Sequence, residues 1–68
     1  MVNVNLLKAE IVKAGLSVES VYKGIGLTKK QWYDRIQKGV FNSDEMYDLV
    51  KFIGIEEPIP IFFAEKVT

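Results

Sequence analysis

With 68 residues, 49% of them hydrophobic, the chain can build one domain around one modest core. The absence of cysteine and histidine excludes disulfides, thiolate sites and the usual zinc ligands. The formal net charge is zero, yet residues 17–43 carry five basic and two acidic side chains and residues 44–68 two basic and six acidic, a polarity that can orient a protein on a polyanion.

The opening "MVNVNLLKAE" has neither the charged start nor the long apolar stretch of a signal peptide, and no apolar run approaches a membrane span. A soluble, cytoplasmic protein with no membrane partner is expected. A first helix is predicted over about residues 5–14, with Asn5 as N-cap, Leu7, Ile11 and Ala14 on one face, and Gly15 as the stop. A second, over about residues 17–24, begins at the cap residue Ser17 and carries Glu19 in its first turn, where the helix dipole favours an acid. Val18, Val21 and Ile25 lie along it, and Gly24 and Gly26 end it.

The third helix is predicted over about residues 28–38, capped by Thr28 and stopped by Gly39. Thr28 with Gln31 three residues later fits the capping-box pattern. A fourth, over about residues 43–53, is capped by Asn42 or Ser43, has Asp44 and Glu45 in its first turn, and ends at Gly54. Met46, Leu49, Val50 and Ile53 form its apolar stripe. The tail "IEEPIPIFFAEKVT" is either a short fifth helix at about residues 58–63, since proline is tolerated in a first helical turn, or a strand over "IFFAEKV". The reading taken is the short helix followed by an extended end. The fold class is therefore all-α: a compact four- to five-helix domain spanning residues 1–68.

The third segment holds the chain's only tryptophan beside two adjacent lysines. Trp32 and Ile36 share a helix face at i, i+4 and can pack on the core together with Leu27. Lys30, Tyr33, Asp34, Gln37 and Lys38 then project from other faces, with Lys29 at the exposed start. The connection "KGIGLT" is a short glycine-bearing bend of the helix-turn-helix kind, in which the second helix can lie in a DNA major groove. Lysine there bonds guanine or phosphate, glutamine bonds adenine, and the helix N-terminus favours phosphate. Asp34 would repel phosphate unless it pairs with Lys30 or Lys38 at i±4 or accepts from cytosine N4.

The segment "AGLSVESVYKGIGLTKKQWYDRIQKG", followed by "SDEMYDLVKFIGI", resembles the lambda repressor-like helix-turn-helix regulators (XRE-type, Cro- and cI-like) over about residues 5–57. The ending "PIPIFFAEKV" looks like that of small regulators from temperate phages and prophages. The resemblance implies a five-helix domain with the helix-turn-helix at helices two and three, usually a homodimer on a two-fold operator of double-stranded DNA. It implies that Ser17 caps the positioning helix near a phosphate and that Thr28 begins the recognition helix near the backbone. Lys29, Lys30, Gln31, Tyr33 and Asp34 fall where the family displays groove-facing residues, and Gln37 and Lys38 where the following loop meets phosphate. Two positions depart from the pattern: Val18 stands where the family commonly has glutamine, and Tyr22 where a small residue commonly packs at the helix crossing.

No base–nucleophile constellation, glycine-rich phosphate loop or metal-ligand spacing is present, so neither an enzyme nor a cofactor or metal site is expected. The resulting expectation is a sequence-specific, Cro-like transcriptional repressor. The alternative is a phage modulator or antirepressor that binds a partner repressor protein through the same fold, a reading favoured by the zero net charge, Val18 and the acidic last third. Two adjacent aromatics, Phe62 and Phe63, are hard to bury together in so small a domain, so one of them is expected at a dimer contact.

Overall fold

A computed structural model describes residues 1–63 of the chain. Five helices follow in order: α1 (Val4–Lys13), α2 (Val18–Gly24), α3 (Lys29–Lys38), α4 (Ser43–Ile53) and α5 (Ile59–Phe62), with no strand among the described residues. The all-helical reading holds, and the tail takes the short helix rather than the strand over its described part. The extended end expected after it lies outside the described residues.

Local signals place most helix ends. Ser17, Thr28 and Asn42 cap α2, α3 and α4, and each start is closed by a reciprocal box, with Ser20, Gln31 and Glu45 respectively. Gly39 ends α3 in the left-handed region at φ 75°, which a residue with a Cβ adopts only with strain. A Cβ there would also lie 2.7 Å from the Met1 side chain.

The start of α1 differs from the expectation: Asn3, not Asn5, is the N-cap, with its Oδ1 accepting from the Leu6 N–H at 3.1 Å. The reason lies outside the helix. The Val2 N–H donates to Gly39 O at 2.9 Å and the Asn3 N–H to Ile61 O at 2.6 Å, so the segment before α1 is tied to the end of α3 and to α5. Val2 is buried there, and Asn5 falls on the exposed side of the helix. Ala14 is exposed too, leaving Leu7 and Ile11 as the buried pair of α1.

All five helices contribute to one core, centred on Leu7, Ile11, Val21, Trp32, Leu49 and Ile61. A chain of rings runs through it. Tyr22 and Trp32 lie 6.3 Å apart, Trp32 and Phe41 5.5 Å, and Phe41 meets Phe62 edge-on at 6.4 Å. Phe62 is buried while its neighbour Phe63 is 54% exposed, so the two adjacent aromatics do divide between core and surface. No helix among the described residues is long and apolar enough to cross a membrane.

Candidate nucleic-acid interface

Two attachments hold α3. The first was expected: Trp32 is only 2% exposed, and Ile36 and Leu27 pack half-buried beside it. Tyr22 is part of this attachment, because its buried ring lies against the indole, with the ring centroids 6.3 Å apart. Helix α2 thus grips α3 through an aromatic pair. Val18 is half-buried against the core.

The second attachment is one that sequence reasoning missed. Arg35 Nε donates to both carboxylate oxygens of Glu45 at 3.2 Å, and Nη2 donates to Oε2 at 2.9 Å. Glu45 is buried, and its Oε1 also accepts the Asn42 N–H at 3.0 Å, so one carboxylate closes the start of α4 and clamps α3. Burial alone would raise the Glu45 pKa. The Arg35 hydrogen bonds, the Asn42 N–H and the Arg35 charge outweigh it and hold the carboxyl below its ordinary value. A signal for this existed: Arg35 lies three residues after Trp32 and one before Ile36, on the inward side of the helix.

With α3 held in this way, the candidate residues face outward. Ser17 stands exposed at the start of α2, and the other eight stand on or beside α3. Thr28, Lys29, Lys30, Gln31, Tyr33, Gln37 and Lys38 are exposed, while Asp34 is half-buried. Several of these groups are already engaged. The Ser17 and Thr28 hydroxyls accept from the Ser20 and Gln31 N–H groups at 3.1 Å. Of its two possible partners, Asp34 pairs with Lys38, at 3.5 Å.

The cations divide into paired and displayed. Lys38 faces Asp34, and Lys23 on α2 meets Glu19 at 2.8 Å. The Lys23 hydrogen bond and charge hold Glu19 below the ordinary carboxylate range, with a further contribution from Lys29 across the turn. Lys29 and Lys30 form no ion pair among the described residues. They project from the first turn of α3, where unpaired backbone N–H groups and the helix dipole add to the positive potential. Chemically, this turn can donate hydrogen bonds to an anionic or acceptor-rich surface. No cluster of acidic side chains among the described residues could hold a metal ion. Comparisons with protein-family models, with curated proteins and with solved structures gave no match for this chain.

Proposed function

We propose that this chain is a sequence-specific DNA-binding regulator, a Cro-like repressor of the temperate-phage type, which acts in the cytoplasm by laying α3 in the major groove. One observation carries the reading. Helix α3 is anchored through Trp32 and the Arg35–Glu45 clamp, while Lys29 and Lys30 stand unpaired at its exposed start, after a short glycine turn. A helix held by one face presents the other in a fixed register, which base reading requires. Contacts of the lysines to phosphates or to guanine edges would supply affinity, and the base edges met by the face would supply selectivity.

The reading includes a homodimer on a two-fold operator, and its contact face is the patch of Met1, Val40 and Phe63. These side chains are 62%, 62% and 54% exposed and rim a small apolar groove floored by Phe41 and Phe62. A second copy would cover them. Phe63→Ala, which leaves the buried Phe62 in place, should lower the dimer fraction in analytical ultracentrifugation without shifting the melt. Monomer alone at high micromolar concentration of the parent would remove the dimer from the proposal.

The test of DNA binding is a salt-titrated anisotropy assay against duplex from the gene's own upstream region. Specific binding at about 10⁻⁸–10⁻¹¹ M is expected, and the Lys29→Ala/Lys30→Ala variant should weaken it. A second reading, a module that binds a partner repressor protein, is favoured by the Asp34–Lys38 and Glu19–Lys23 pairs, which neutralise flanking cations. It predicts only non-specific DNA affinity, about 10⁻⁴–10⁻⁶ M, together with capture of a regulator that the double variant loses.

A further inference from the structure

The cap of α3 and the reading of adenine make competing demands on one amide. Gln31 Oε1 accepts the Thr28 N–H at 2.9 Å, and the Gln31 N–H donates to Thr28 Oγ1 at 3.1 Å. A backbone N–H can be met only by the oxygen of an amide, so the chemistry itself orients the group. Glutamine pairs with adenine through both ends, the oxygen accepting from N6 and the nitrogen donating to N7. Here the oxygen is turned to the helix start. What remains is Nε2 with its two N–H donors, on an exposed side chain that has no other hydrogen bond among the described residues.

The two residues before it are of the same kind. Lys29 and Lys30 donate and cannot accept, and both are exposed. The only carboxylate of α3, Asp34, lies 3.5 Å from Lys38 Nζ and 3.9 Å from Arg35 Nη1. The exposed side chains of the first turn, Lys29, Lys30 and the free end of Gln31, therefore all offer donors. In the major groove the base that offers two adjacent acceptors and no donor is guanine, through O6 and N7.

Resting on the reading of α3 as a recognition helix, we infer that Lys29, Lys30 and Gln31 select guanines in the operator. Gln31 acts through Nε2 alone and does not make the paired adenine contact that its residue type suggests.

The experiment selects duplexes from a randomised library with the full chain, then substitutes single bases in the selected duplex. Guanines should be enriched, and replacing a contacted guanine by 7-deazaguanine should weaken binding by about tenfold. Gln31→Glu keeps an oxygen for the cap but loses both donors, so it should melt like the parent and lose the guanine preference at one position. The 7-deazaguanine arm uses the unaltered protein and does not depend on how any variant folds. If a selected adenine loses about tenfold when its N6 amino group is removed, and Gln31→Ala is insensitive to that change, Gln31 reads adenine. The inference then falls while the DNA-binding reading stands. Indifference to 7-deazaguanine overturns it in the same way. If no sequence is enriched, the recognition-helix reading falls and the inference with it.

Discussion

At the start of α3 the Thr28 hydroxyl and the Gln31 amide cap each other, and at the start of α4 the Asn42 amide and the Glu45 carboxylate do the same. The first box lies in solvent, and half of the Gln31 amide remains free. In the second, Glu45 is buried while Asn42 is exposed, and the carboxylate is taken up by Arg35 from α3. One local motif therefore serves as a displayed edge in one place and as an internal joint in the other. Burial makes the difference, because a charge removed from water must find every partner it can, whereas an exposed amide can leave hydrogen bonds to solvent or to a ligand.

The comparison depends on the anchor that separates the displayed face of α3 from the buried one. Trp32→Ala should cost about 3–5 kcal/mol through the cavity left among Tyr22, Phe41 and their neighbours, most of the stability of a domain this small. Urea melts measure it; a loss under about 1 kcal/mol would mean that the face assigned to solvent and the face assigned to the core are interchanged.

The buried box comes next. Glu45→Ala removes a cap and a desolvated hydrogen-bond acceptor together, and should cost about 2 kcal/mol in the same melts. The box also has an acid signature. The Glu45 carboxyl is held below its ordinary value in the folded chain, so its contribution is complete above the ordinary carboxylate range. That contribution is lost as the pH falls through the depressed folded value. Glu45→Gln should flatten this part of the stability–pH profile, whereas Gln31→Ala should leave its shape unchanged.

The exposed box is the smallest effect. Thr28→Ala should cost about 1 kcal/mol, visible as a modest drop in thermal midpoint and as weaker DNA binding, since the helix start itself is loosened. Equal losses for Thr28→Ala and Glu45→Ala would erase the distinction between edge and joint.

Much of this was legible along the chain because capping boxes, glycine stops and a 3.6-residue stripe involve residues within four positions of one another. Ser17 and Thr28 were each readable as caps for that reason, the fourth helix offered Asn42 or Ser43 and is capped by Asn42, and the inward pairing of Trp32 with Ile36 was readable too. The choice between Asn3 and Asn5 was not. Either can cap a helix locally, and the decision came from Ile61, far along the chain, accepting the Asn3 N–H. The candidate face was readable residue by residue, but which of its groups were already occupied was not.

By itself, then, the sequence determined the helical class, the boundaries of α2, α3 and α4, and the amphipathic split of α3, since short-range geometry and side-chain chemistry suffice for each. Only the tertiary structure decided that Arg35 takes Glu45 in preference to the adjacent Asp34, and that Tyr22 fills the crossing of α2 and α3 with a ring. Both depend on groups that meet only when helices pack. Neighbouring charges in sequence lie at the surface, where water weakens their attraction, while the partner ten residues away is buried and binds the guanidinium through three hydrogen bonds.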